Sequence, residues 1–473
     1  MVNWMTFSPE LFYGLVMTAV FMVLCLVPAN PRRDHATALI LAAVGLAVTM
    51  GATGMRGDLF VDTYRVDLFS QVFKVMLSLG LLLVVLLCSE LAGVDEKRHA
   101  LVYLLLSLCT LAMMMLVSAV NLITIYVALE LSSYCLYVLV FLRKGQARSA
   151  RTAIRYFLIG ASASAVMLFG LALIYGAART TSVVGLSAAL PQLISRPEVL
   201  TGLLLVLGGF FFKLALFPFH FWAPDVYEGA ANQVAAYVAT ASKAATVAVL
   251  IRVVAMAGDG SLPLVRALAA LAIVSMTVGN LTAIVQKDFK RMLAYSTIAH
   301  GGYILLGILS MSPEGFSAAV FYAFTVLVLK FSCFFVLIKV AADGANLSID
   351  GLAGLHRRSP LLAMVLMMAL FALAGIPPTI GFTGKLFIFT AVMAKGHLVL
   401  VLIAMFNVVV SLYYYLLAIK AAYLTEPADD LPAIRLSPGE RLLAGALVAV
   451  TVCAGIFPAP LLDLAEAAVR SVM

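Results

Sequence analysis

Long unbroken runs of apolar residues, separated by short polar turns, set the pattern of this chain. A helix needs about 20 such residues to cross a bilayer. Fourteen runs can be placed, starting near residues 10, 36, 68, 100, 120, 153, 199, 231, 263, 291, 314, 359, 397 and 440. They are continuous rather than alternating, which predicts helices and argues against a membrane β-barrel. The turn between the fourth and fifth spans is only Ser118–Asn121. Two spans are long and interrupted, the seventh at Pro218 and the twelfth at Gly375–Gly381 (GIPPTIG). No basic region precedes the first apolar run, so that span is expected to be a retained helix rather than a cleaved signal. The longest loops, Gly176–Glu198 and Leu424–Arg441, are too short for a soluble domain. The tail Pro460–Met473 is short and amphipathic.

The expected fold is therefore an all-α polytopic membrane protein of about 14 transmembrane helices. Residues 1–99 hold three helices, 100–257 a first five-helix unit, 258–425 a second, and 426–473 a last helix and tail. Each five-helix unit carries its broken helix in fourth place. Five is odd, so the second unit inserts inverted relative to the first. Interrupted helices at matching places of inverted repeats point to an ion site near the midplane.

Composition agrees. Of 473 residues, 64% are hydrophobic and only 11% charged, against about 25% charged in soluble domains. The net charge of +8 sits in the loops and does not point to nucleic acid. Eighteen basic residues fall in the loops of one face and eight on the other. That asymmetry, to which the run RKGQARSARTAIR contributes, places both termini outside the cytoplasm. Six scattered cysteines form no CxxC pair, so neither a disulfide framework nor an iron–sulfur site is supported.

Candidate chemistry lies in the charges within the spans. Lys213 stands in GGFFFKLALFPFHFWAPDVYEGA, just before Pro218. Glu130, Lys243 and Lys385 are each alone in a long apolar segment. Lys330 and the neutral His300 add titratable groups, His300 reading either as a satisfied core histidine or as a relay. A charge at a helix centre costs about 2.5–3.5 kcal/mol, so Glu130, Lys213, Lys243 and Lys385 would together cost on the order of 10 kcal/mol against lipid. They must face one another or internal water. Burial disfavours a charged lysine and a nearby carboxylate restores it, so a lysine with a movable partner can carry protons. Glu130 reads as the only carboxylate deep enough to be that partner. The expected order runs from a Glu130/Lys213 pair to Lys243, then through water, His300 and Lys330 to Lys385. Lys74, near a helix start, reads as a snorkelling lysine. Asp225 and Glu228 read as anchors at the end of the broken helix, and Trp222 and Tyr227 as interfacial aromatics.

The segments ALELSSYCLYVL, FFKLALFPFHFWAPDVYEGA, ASKAATVAVLIR, DFKRMLAYSTIAHGGYIL, LSIDGLAGLHRRSP and GIPPTIGFTGKLFIF resemble the antiporter-like membrane subunits of respiratory complex I, which are related to multisubunit cation/proton antiporters. The length, the lysine at position 385 and the lack of a long lateral helix resemble the family's subunit N branch. Lys330 is more like its sister subunits. The resemblance implies proton translocation through Glu130, Lys213, Lys243 and Lys385, with His300 and Lys330 on a central path. It implies no redox cofactor in this chain: NADH, FMN, iron–sulfur clusters and quinone would belong to partner subunits. It further implies sister antiporter-like subunits as partners and a multi-pass location in the cell inner membrane. A cation/proton antiporter subunit, or the same module in a hydrogenase or a ferredoxin- or F420-linked complex, stays open as an alternative.

Overall fold

The computed structural model describes residues 4–61, 63–258, 261–427 and 431–472. The side chains of 146–148, inside the basic run at 143–155, lie outside the described residues, as do parts of the loop before the last span. Among the described residues nineteen helices of eight residues or more carry the fold: α1 Trp4–Leu26, α2 Pro31–Gly51, α3 Leu68–Leu86, α4 His99–Ser118, α5 Leu122–Phe141, α6 Gln146–Ala178, α7 Val183–Leu193, α8 Pro197–Leu214, α9 Trp222–Gly229, α10 Asn232–Ala239, α11 Ala241–Ala255, α12 Leu262–Ile284, α13 Phe289–Leu309, α14 Pro313–Val340, α15 Pro360–Ala374, α16 Ile380–Ala394, α17 Leu398–Leu424, α18 Pro438–Ile456 and α19 Ala459–Arg470. Among the described residues, thirteen helical segments are long and apolar enough to span a bilayer, α10 and α11 counting as one. The pair α15/α16, each 15 residues long, supplies the fourteenth span. The turn between α4 and α5 is where the pattern placed it.

Polar residues between the runs set the helix starts. Asn30, Asn121, Asp288 and Ser312 accept backbone N–H groups of the first turn, and Asp67 and Ser437 form capping boxes with Ser70 and Glu440. The joined α10/α11 span, α13 and α14 are almost wholly buried and form the centre. The outer helices expose apolar side chains such as Leu402, Phe406 and Val409, as lipid-facing helices do.

Three features depart from the sequence reading. The 176–198 loop contains the helix α7. A short hairpin, Gly57–Leu59 paired with Tyr64–Val66, fills the turn before α3. The eighth span is itself broken: Thr240 leaves helical geometry between α10 and α11. No Gly or Pro marks that break, which is why hydropathy could not find it.

The two expected breaks are present. The first begins before Pro218, at Ala215, which adopts left-handed geometry at φ +59. Hydrocarbon offers no water to freed backbone groups, so other donors and acceptors must serve them. Trp222 Nε1 donates to Phe212 O at 2.8 Å, and Phe217 N donates to Ser275 Oγ at 3.1 Å. The second break turns at Gly375, with φ +91. Beyond it α16 starts so close to the end of α15 that a Cβ on Gly381 would overlap the Ala372 carbonyl. Gly381→Ala is therefore expected to lower stability by about 1–3 kcal/mol, read as an earlier thermal transition in detergent.

Candidate functional site

The buried charges gather into two polar clusters, one at each break. In the first, Lys213 ends α8 and is 1% exposed. Its ammonium donates to Ser132 Oγ and Ser133 Oγ, both at 3.0 Å. Glu130, one turn back on α5, instead accepts the hydroxyl of Ser164. The expected direct Glu130/Lys213 pair is thus not formed: serines occupy the positions between them. Lys243, just past the Thr240 break, donates to the Lys213 carbonyl at 2.5 Å. That carbonyl is freed by the end of α8, where the negative end of the helix dipole also favours a cation. The Lys243 ammonium lies 4.7 Å from the centre of the Trp222 ring, a cation–π contact. Trp222 and Tyr227 are buried, so they are core residues and not interfacial ones.

The second cluster has a related construction. Lys385 reaches back over the Gly375 turn and donates to Leu373 O at 2.8 Å and Ala374 O at 3.0 Å. Its counterpart at the first break is therefore Lys243, which caps a carbonyl in the same way, rather than Lys213. Lys330 corresponds better to Lys213: it donates to Ser296 Oγ at 2.7 Å and to Leu293 O at 2.9 Å. From Ser296 the bonds continue through Tyr415 to His300 Nε2 at 3.1 Å, and from His300 Nδ1 to Tyr322 at 2.7 Å. A neutral imidazole has one donor and one acceptor nitrogen, so His300 joins the two tyrosines into one line. The Lys385 ammonium lies 4.9 Å from the Tyr303 ring centre, and that ring neighbours His300. Lys385 also walls an apolar crevice of about 500 Å³ between α16 and α17. Among the described residues no hydrogen-bonded chain joins Lys243 to His300. The two clusters are built, and the step between them is open.

Other charges were placed differently by the sequence. Lys74 does not snorkel: it is fully buried and pairs with Glu10 at 2.7 Å. Tyr64 donates to the same carboxylate oxygen at 2.6 Å. Glu10 is therefore a further buried carboxylate. Its signal was a lone acid inside the first helical run. Arg252, one of the eight basic residues counted to the loops of the second face, is instead 3% exposed and holds Asp67 through both carboxylate oxygens at 2.8 and 2.7 Å. Asp225 and Glu228 act as anchors, bridging α9 to Arg291 of α13 at 3.1 and 2.9 Å. Ser132, Ser133, Ser164, Ser296, Tyr322 and Tyr415 were not singled out by sequence, because hydroxyls carry no burial penalty large enough to mark them in an apolar run.

Residues 119–411 match the family described as NADH:quinone oxidoreductase/Mrp antiporter, transmembrane. The chain belongs to that family. The matched span holds Glu130, Lys213, Lys243, His300, Lys330 and Lys385, whereas Glu10 and Lys74 lie before it. The chain is 57% identical, over the full length of both, to NADH-quinone oxidoreductase subunit N 2 of Syntrophobacter fumaroxidans. It is 42% identical, over 97% of each chain, to the protein of the same name in Solidesulfovibrio magneticus. Among solved structures, it resembles a chain of respiratory complex I from Thermus thermophilus with bound aureothin: TM-score 0.84, 33% identity, covering 97% of this chain and 99% of that one. A chain of the Mrp complex from Dietzia shares the fold at TM-score 0.86 and 21% identity, covering 100% of this chain and 98% of that one.

Proposed function

We propose that this chain is a proton-translocating membrane subunit of a complex I-type NADH–quinone oxidoreductase, corresponding to its subunit N. The observation that carries the reading is the pair of helix breaks, each with a buried lysine on the freed carbonyls of the preceding half-helix. Each lysine can hold or release a proton without losing its place, since a neutral amine still donates to a carbonyl. Like charges buried near one another repel more strongly in the low-dielectric interior than in water. Charging Lys213 therefore drives a proton off Lys243, and charging Lys330 acts likewise on the His300 line toward Lys385. Residues 100–257 and 258–425 would be inverted units, each supplying half of the path. Electrons, NADH, FMN, iron–sulfur clusters and quinone belong in this reading to partner subunits. The neighbours would include sister antiporter-like subunits in the cell inner membrane. The names of the relatives at 57 and 42% identity support the assembly.

The rival reading, cation/proton exchange, needs a site of carboxylates and carbonyls. Glu130 is committed to Ser164, and the described residues hold no cluster of three His, Cys, Asp or Glu side chains placed for a metal ion. The test uses the assembled complex in vesicles with choline replacing sodium. Redox-driven acidification is expected to persist there and to fall sharply in Glu130→Gln. A flux that requires sodium in the parent, and is lost in the variant, would instead establish exchange.

A further inference from the structure

Two antiparallel helices, α5 and α6, face each other along matched stripes. On α5 the stripe is Glu130, Ser133 and Tyr137, spaced three and four residues apart. On α6 it is Ser164, Gly160, Tyr156 and Thr152, each four residues from the next. Residues at these spacings share a helix face. The stripes touch from Glu130 to Tyr137, and beyond them Thr152 meets α9. Ser164 bonds Glu130. The Tyr137 hydroxyl lies over Gly160, where a Cβ would overlap it. The Tyr137 and Tyr156 rings meet edge to face at 4.7 Å. Thr152 sits against Gly229, its Oγ1 only 2.6 Å from where a Cβ would stand.

Both ends of this seam are polar. At one end is Glu130, beside the serines that hold Lys213. At the other, on the face with the larger number of basic residues, is a pocket of about 170 Å³ lined by Arg151, Thr152, Arg155, Asp225, Glu228 and Gly229. Twelve residues separate Thr152 from Ser164, or roughly 18 Å of helix. Between the ends stand two buried hydroxyls, of Tyr137 and Tyr156; among the described residues neither has a well-formed hydrogen bond, and Ser133 lies beside that of Tyr137. Buried hydroxyls are normally satisfied, so two in succession need an explanation.

We infer that Tyr156 and Tyr137 gate a proton inlet running from the mouth at Arg155 and Asp225 to Glu130. The line is closed in this conformation, since neither hydroxyl is bonded to the next. A ring rotation or a bridging water closes the gaps and opens the path. A proton reaching the mouth is then accepted on the Tyr156 oxygen as that hydroxyl passes its own hydrogen onward. Tyr137 does the same. Both tyrosines end neutral, and the net change is one proton added to the Glu130 carboxylate. Gly160 fits this role because it alone leaves room for the Tyr137 hydroxyl on the seam.

The inference rests on the function proposed above, and its test separates the two. The assembled complex in sealed vesicles is compared with two variants, Tyr137→Phe/Tyr156→Phe and Lys213→Ala. The phenylalanines keep both rings and remove only unbonded hydroxyls, so folding is preserved. The double variant is expected to take up protons roughly tenfold more slowly or worse. Its solvent deuterium isotope effect on uptake should rise, which a purely packing role would not produce. Wild-type uptake in the double variant, with uptake lost in Lys213→Ala, overturns the inlet and leaves the function standing. Wild-type uptake in both variants overturns both.

Discussion

Lys243→Met is expected to assemble normally and to transfer protons about a hundredfold more slowly than the parent, or worse. The magnitude is the usual loss on removing a positioned proton-transfer group. Lys243 is the polar group that lies past the first break and on the side of the second cluster. Methionine keeps the length of the stem and its packing against Trp222, but it cannot donate to the Lys213 carbonyl. Leaving that carbonyl unserved costs about 1–3 kcal/mol, small against the stability of a fourteen-span bundle. Lys213, held by Ser132 and Ser133, would still charge. The variant should therefore accept a proton in the first cluster and fail to pass it on. Stopped-flow proton uptake against steady-state release measures this split. Equal loss of both phases would place Lys243 ahead of Lys213 instead.

The second large effect concerns a pair outside the path. Lys74→Met is expected to destabilise the protein by about 3–5 kcal/mol, because Glu10 is left charged and buried without its partner. The side chains of both residues have no exposed surface, so water cannot compensate. Replacing both, as Glu10→Gln with Lys74→Met, should recover most of that loss, since an apolar or neutral substitute for a buried pair is often neutral. A double variant as unstable as the single one would show that the pair's geometry, and not charge burial, holds α1 against α3. The measurement is thermal unfolding of the purified chain or complex in detergent.

How far this structure could be read in advance depended on the size of each energy. A charge in hydrocarbon costs enough to be conspicuous, so Glu130, Lys213, Lys243, Lys330 and Lys385 stood out from their apolar runs. Their partners did not. The serines and tyrosines that receive those charges blend into ordinary helix sequence, and the Glu130/Lys213 pair was expected because the hydroxyls between them went unweighed. Proline and glycine announced the breaks at Pro218 and Gly375. The Thr240 break had no such residue, and neither did the capping role that makes Lys243 the counterpart of Lys385. Lys74 was misread because seven residues from Asp67 looks close to a helix end. Its burial depends on Glu10, which arrives from another helix. Side-chain partners across helices are tertiary facts that hydropathy does not carry.

On the proposed function, protons cross this chain by way of its buried lysines. The number of protons pumped per electron in vesicles holding the assembled complex, measured for the parent and for Lys213→Ala and Lys385→Ala separately, decides this. A lower ratio is expected in each variant, because each removes one end of the proposed path. An unchanged ratio in both, with each variant fully assembled, would contradict it and leave the chain a structural subunit.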